Sequence, residues 1–288
     1  MSIVQLFNGL VTGSFYALVA LGLSIIFGMM RVVNFAHGAF YMLGAFGAYI
    51  LLDTWNIGFW WALILAPLAV GCIGMVLERL VFRRLYALDP LYNFLLSFAV
   101  ATIIQDAMRL RYGAQGKPYH VTSQILSGVQ DIGGTFYPRY RLFVIVFSIL
   151  VCVVVWFLIE RTRVGMVVRA ATEKPDLTRA LGVNVDRWIT PVFGFGVALA
   201  ALGGVLAAAM QQVRPSMGED LIIVIFAVVV IGGLGSIAGS VVAGLAIGVI
   251  AAVGEAYYAQ VSSTLVFIVM AVVLLVRPAG LFGSVDGT

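Results

Sequence analysis

Few side chains in this sequence are of a kind that does chemistry. The ionisable groups inside or beside its long apolar runs are His37, Asp53, Glu78, Asp106 and Glu255. Charges at membrane depth are costly, and they mark pathways or relays where they occur. Most of these five fall at expected helix ends, where snorkelling or water accounts for them. His37 has Asn34 beside it at a break in the apolar pattern, and Glu255 stands near the end of a run. For both, satisfied packing or interfacial placement competes with a pathway role. The set contains no dense chain of acids and bases, no paired metal ligands and no nucleophile–base pair. The stretch GAQGKP (113–118) lacks the spacing and the hydroxyl residue of a phosphate loop. If ATP drives this chain, another polypeptide binds the ATP, and no cofactor or metal of its own is expected.

The elements that must position these groups are apolar. The 288 residues are 62% hydrophobic and 10% charged, with a mean hydropathy of +1.08. A soluble domain of this length cannot cover so much apolar surface with so few charges. The chain is therefore expected to be an all-α, polytopic membrane protein forming one transmembrane domain over residues 1–288. With about 20 residues needed per spanning helix, the spans are predicted at 5–28, 37–53, 58–80, 91–108, 141–159, 188–210, 220–238, 240–258 and 262–276. That gives eight or nine helices, the count depending on the region around Gly232. The first stretch has no basic n-region and no small-residue cleavage site, so it reads as a retained span. Cys72 and Cys152 sit in separate apolar runs and read as packing residues. The net charge of +4 comes mainly from loop arginines, which suits membrane topology and gives no reason to expect nucleic acid.

If 160–187 is cytoplasmic, alternation places eleven of the 17 basic residues on that side, including Arg31, Arg79, Arg83, Arg84, Lys174 and Arg277. The expected orientation is N-terminus outside and C-terminus cytoplasmic. Residues 109–140 then form the substantial outer segment, with Gly, Pro and β-branched stretches that suggest turns and a small hairpin. A lid, a docking surface and a plain connection all suit it.

Glycine clusters in two places, VVNFAHGAFYMLGAFGAYI (32–50) and VIGGLGSIAGSVVAGLAIGVI (230–250). Small residues let helices approach closely in lipid, which accounts for Gly44, Gly47, Gly244 and Gly248 by packing alone. The breaks are a different matter. Backbone freed from helical hydrogen bonds at membrane depth survives only inside protein or beside water. A pair of interrupted helices in opposite halves points to a transport pathway between inverted repeats. Candidate pathway residues are Asn34, His37, Gly38, Gly44, Gly233, Gly235, Ser236 and Gly239.

The segment RTRVGMVVRAATEKPDLTRALGVNVDR (161–187) interrupts this oil. Val164, Val167, Val168 and Ala171 recur at helical spacing. A second short helix is bracketed by Pro175 at a first position and Gly182 at a left-handed C′ position. So short a helix needs a partner surface. A solvated connector that fixes topology is one reading, and a docking element for a cytoplasmic protein is the other. In the second, the coupling residues are Arg169, Ala170, Glu173, Pro175, Asp176, Leu177, Ala180, Leu181 and Gly182.

Three stretches together, GLVTGSFYALVALGLSIIFGMMRVVNFAHGAFYMLGAF, RAATEKPDLTRALGVNVDR and GGLGSIAGSVVAGLAIG, resemble the LivH-type permeases of branched-chain amino-acid ABC transporters over nearly the whole chain. The resemblance implies an ATP-driven importer in the bacterial inner membrane. Its parts would be a second, related permease, two ABC ATPase subunits carrying ATP and magnesium, and a periplasmic substrate-binding protein. It implies that Arg169 to Gly182 is the segment seated on an ATPase, and that this chain is no enzyme itself. In LLSFAVATIIQD (95–106), Ser97 and Ala99 stand where the family often has threonine and glycine, so substrate specificity does not carry over freely. Related permeases also move urea, short amides or other amino acids. An ion-coupled transporter or channel is the main alternative, and a membrane scaffold or enzyme subunit the third.

Overall fold

In the computed structural model, residues 3–30, 32–86, 88–132, 135–173, 175–258 and 262–283 are described. Arg31 and Lys174 lie outside them, as do the side chains of Glu173, Pro175 and Asp176. The described residues form eleven α-helices, one short 3₁₀ turn (Phe82–Leu85) and one two-stranded hairpin. Each of the nine expected spans falls on a helix. These are α1 (Ile3–Met30), α2 (Ala36–Trp55), α3 (Phe59–Leu80), α4 (Pro90–Tyr112), α5 (Arg139–Arg161), α8 (Asp186–Ala208), α9 (Met217–Gly232), α10 (Ile237–Tyr258) and α11 (Ser262–Val276). The short helices α6 (Arg163–Glu173) and α7 (Pro175–Ala180) lie between α5 and α8. Six helices are long and apolar enough to cross a membrane, and α2 and α9 are not among them. The chain is a multi-pass, all-α membrane protein.

The centre of the bundle is α1. Its apolar sequence is buried nearly all round, as expected of a helix surrounded by other helices. It lies antiparallel to α10, with Gly9 against Val249, Gly13 against Leu245 and Gly28 against Gly235. A Cβ on Gly13 would stand 2.9 Å from the Leu245 Cα, and one on Gly244 2.5 Å from the Ala17 nitrogen. Lipid tails are as apolar as leucine, so helices associate here by close van der Waals contact, and small residues permit it. On another face α1 meets α8, with Gly22 against Gly196.

The two ends of the bundle differ. One carries the strands β1 (Val129–Ile132) and β2 (Thr135–Pro138), paired antiparallel with Gln130 opposite Tyr137. Tyr137 and Arg141 both donate to the Asn8 side-chain oxygen, at 2.9 and 2.8 Å, which ties this hairpin to the start of α1. Exposed Trp55, Trp60 and Trp61 gather between α2 and α3, where amphipathic indoles suit a membrane boundary. The opposite, basic end carries α6, α7, Arg79, Arg83, Arg84 and Arg277. The start of α1 and the end of α11 lie at opposite ends.

An inverted arrangement follows from these contacts. Helix α1 descends from the hairpin end, the chain loses helical form over 32–35, and α2 climbs back with α3 descending beside it. In the other half α8 climbs, the chain is largely non-helical over 209–216, α9 descends and α10 climbs beside it. Directions in the second half are the reverse of those in the first, as inverted repeats require.

Close backbone contact between α1 and α10 should be sensitive to a single added side chain. Gly248→Val would drive methyl groups into the Gly13 backbone and should cost about 1–3 kcal/mol, read as a lower Tm in mild detergent. Gly28→Ala, whose Cβ finds its nearest neighbour at 3.4 Å, should leave Tm unchanged. Equal tolerance of both substitutions would contradict this packing.

Candidate functional site

Two regions are built for work: a cavity where α2 and α9 begin, and the helical hairpin α6–α7 at the basic end.

Helix α2 begins inside the bundle. The Asn34 side-chain oxygen accepts from the Ala36 N–H at 3.0 Å, and its carbonyl accepts from the His37 N–H at 3.2 Å. The Phe35 N–H donates to the Ser97 hydroxyl on α4 at 3.0 Å, and that hydroxyl donates to the Phe94 carbonyl at 2.9 Å. Donors that a helix start leaves unpaired are thus met by side chains. His37 is fully buried, and its Nε2–H donates to the Val19 carbonyl of α1 at 3.0 Å. That contact places the start of α2 level with the middle of α1. From Val19, α1 continues roughly 16 Å further to Met30 at 1.5 Å per residue.

Helix α9 begins at the same depth. Gly38 and Gly218, each in the first turn of its helix, face one another so closely that a Cβ on either would overlap the other's carbonyl. Backbone that leaves helical form at such depth needs protein or water around it, and beside the Gly38–Gly218 contact lies a cavity of about 340 Å³. Phe35, just ahead of α2, lines one wall with Ala39 and Met42 of α2, and Gly218, Ile222 and Ile223 of α9 line another. Helix α4 contributes Phe98, Ala101, Thr102, Gln105 and Asp106, and Glu219 completes the polar part. Gln105 donates to the Glu219 carboxylate at 3.1 Å, joining α4 to α9 across the mouth.

The structure divides the eight pathway candidates. Asn34, His37 and Gly38 fix the start of α2 behind the cavity wall, and none of the three lines it. Gly44 packs against Ala201 of α8, as helix contact requires. Gly233, Gly235 and Ser236 lie elsewhere, in the α9–α10 turn at the basic end, with Gly239 in the first turn of α10, and Gly235 touches Gly28 of α1 there. Gly233 has φ +103° there, and the C-terminal tail closes over the turn. Leu281 and Phe282 donate N–H groups to the carbonyls of Ile231 and Gly232 at 2.8 and 3.1 Å, capping α9. The second interruption at membrane depth is 209–216. Asp106 and Glu219, which face the cavity, stand apart from the expected pathway residues. The signal available for Glu219 was Pro215 ahead of an acidic first turn in GED, which announces a helix start.

At the basic end, the Thr162 hydroxyl accepts from the Gly165 N–H at 3.2 Å and caps the start of α6. Arg169 pairs with Glu160 and also donates to its carbonyl at 3.2 Å, holding α6 to α5. Val168 and Ala171 are buried, so the apolar spacing in the sequence does mark an inner face. Helix α7 begins at Pro175 and ends in a Schellman turn. Gly182 has φ +87°, its N–H donates to the Arg179 carbonyl at 3.0 Å, and the Val183 N–H reaches the Thr178 carbonyl at 3.2 Å. Thr178 is 5% exposed and bonds the Ala170 carbonyl at 2.9 Å, fastening α7 to α6. Leu177 and Leu181, by contrast, are 55% and 77% exposed, and Ala180 lies open beside them. Arg179 pairs with Asp186 in the first turn of α8 at 3.3 Å, so a displacement of α7 bears directly on a spanning helix.

Near that turn Glu78, fully buried on α3, accepts from the Thr190 hydroxyl of α8 and from Tyr86 at 3.2 Å. Burial, and then the Glu78 charge, push the Tyr86 hydroxyl far above its usual range, so it remains a donor.

Comparison with known proteins agrees with this architecture. Residues 5–276 match the family described as branched-chain amino acid transport system / permease component. The permease protein BraD of Pseudomonas aeruginosa is 32% identical over 291 residues, covering 97% of this chain and 95% of that one. LivH of Escherichia coli K12 is 29% identical, over 97% and 94%. The permease LivM of the same organism is 27% identical over 77% of this chain and 57% of its own length. The chain belongs to the branched-chain amino-acid transport permease family.

Proposed function

We propose that this chain is one of two related permeases of an ATP-driven importer for branched-chain amino acids or similar small solutes. The carrying observation is the pairing of a mid-depth cavity with an exposed, well-capped docking helix on a family-typical chain. The likeness to both LivH and LivM supports a second permease related to this one as partner. In this reading two ABC ATPase subunits hold ATP and magnesium, and a binding protein delivers solute at the hairpin end, over 109–140. The basic end faces the cytoplasm of a bacterium, leaving the N-terminus outside and the C-terminus inside.

The mechanism follows from the geometry. Solute enters the cavity between α2, α4 and α9. Asn34, His37 and Gly38 fix where α2 begins, and the Gly38–Gly218 contact sets its distance from α9. Leu177, Ala180 and Leu181 seat in a groove on an ATPase, with Arg169, Ala170, Glu173, Pro175 and Asp176 belonging to the same coupling segment and Gly182 ending it. Motion of the ATPase passes through α7, Gly182 and the Arg179–Asp186 pair to α8. That helix holds α1 and α3, and thereby the cavity.

Leu177→Asp and Leu181→Asp remove anchors that touch little of this chain. Each should lower ATP-dependent leucine uptake in proteoliposomes at least about tenfold, since buried interface anchors contribute about 2 kcal/mol or more, with Tm unchanged. Wild-type uptake in both would defeat the docking role, and leucine uptake driven by an ion gradient without ATP would favour the ion-coupled alternative. Gly38→Val should stop uptake while the ATPase still co-purifies. Normal uptake in that variant would remove the α2–α9 contact from the mechanism.

A further inference from the structure

Glu78 is a buried acid that takes no part in the cavity. It stands in the last turn of α3, and among the described residues it forms no ion pair. Its partners there are two hydroxyls, Thr190 on α8 and Tyr86 just beyond the 3₁₀ turn. A buried carboxylate is costlier than an apolar side chain filling the same space. Helix contact alone gives no reason for an acid at this position.

Its place beside the coupling route does. Along α8, Thr190 comes one turn after Asp186, on the same face and about 6 Å further along the axis. Asp186 is held by Arg179 of α7, and Thr190 by Glu78 of α3. Farther along, α8 meets α3 at Gly71 and Gly194, α1 at Gly22 and Gly196, and α2 at Gly44 and Ala201. Those are van der Waals contacts between small residues, without the directionality of a hydrogen bond. Glu78 adds a directional bond one turn from where α7 acts. The Tyr86 hydroxyl lies 3.2 Å from a Glu78 oxygen and 3.3 Å from the Met30 sulfur. One carboxylate thus ties α8 to α3 directly, and to the end of α1 through Tyr86.

We propose that Glu78 is a positioning residue for coupling: it makes α3 and the end of α1 follow the start of α8 when α7 is displaced. The inference rests on the importer reading above and adds a residue to its coupling route. With the Glu78–Thr190 bond cut, α8 shifts without carrying α3, whose Ala66 packs on Gly47 of the cavity helix α2. ATP hydrolysis then continues while solute movement falls.

The test uses the whole complex purified through this chain, binding protein included, in proteoliposomes with leucine as the transported probe. ATP hydrolysis and leucine uptake are measured in the same vesicles, and their ratio is the readout. Thr190→Val keeps the shape and removes the hydroxyl. It should raise the ATP hydrolysed per leucine about tenfold, as loss of a hydrogen bond to a charged group predicts. Thr190→Ser, which keeps the hydroxyl, should retain the wild-type ratio. Thr190→Val leaves a buried charge short of a donor, so the double variant Glu78→Gln with Thr190→Val accompanies it. That variant strands no charge and should be as uncoupled as Thr190→Val alone; it decides the matter if the single variant has a lowered Tm. Uptake and hydrolysis falling together at a constant ratio would show a merely structural role and overturn the proposal. A wild-type ratio in both valine variants, or an equal loss of coupling in Thr190→Ser, would overturn it too. A wild-type complex that takes up no leucine with ATP sinks the importer reading itself, whereas a coupled wild type with equally coupled variants sinks only the role of Glu78.

Discussion

Two helices that begin inside the bundle meet glycine to glycine, and the rest of the structure serves that contact. Neither Gly38 nor Gly218 has room for a Cβ, so the backbones of α2 and α9 set their own separation. Their free N-terminal groups must be satisfied. Asn34 and Ser97 meet those of α2, and the backbone carbonyls of Arg214 and Ser216 accept from Met217 and Asp220 at the start of α9. The long helices α1 and α8 form the frame that holds both starts at one depth. His37 is the bolt, bonding the frame at Val19 while lying one residue from the contact.

At the basic end the division of labour is carried by individual side chains. Thr178 and Ala171 face inward and join α6 to α7, whereas Leu177 and Leu181 face outward and are left exposed by the described residues. A six-residue helix does not persist on propensity. Here Pro175 opens it, the Schellman turn at Gly182 closes it, and the Thr178 hydrogen bond pins it. The result is a rigid projection, and its salt bridge from Arg179 to Asp186 leads into α8.

Much of this was legible in the sequence because the signals are local. Spans announce themselves by length and hydropathy, and all nine predicted segments became helices. Pro175 and Gly182 mark their helix because each has a distinctive backbone preference. The second interruption was harder to see. GGLGSIAGS carries more glycine than MQQVRPSM, yet it forms a capped turn at one end, while the less conspicuous stretch 209–216 breaks the chain at depth. Glycine content reports backbone freedom, and only the partners across space, Gly38 for Gly218 and Gly28 for Gly235, fix the depth. Asp106 read as a helix-end residue for the same reason. Its place at the cavity shows only across space, where Glu219, 113 positions away in sequence, lines the same hollow and is bonded to the same helix by Gln105.

The central claim is that the α2–α4–α9 cavity holds water and solute rather than lipid. Thr102 lines it and is exposed on this chain, and the two native cysteines, Cys72 and Cys152, can be replaced with alanine. In that background, Thr102→Cys should react with a charged, membrane-impermeant methanethiosulfonate, and saturating leucine should slow the reaction. Labelling only by a lipid-soluble maleimide, unaffected by leucine, would place the cavity against the bilayer and contradict the account.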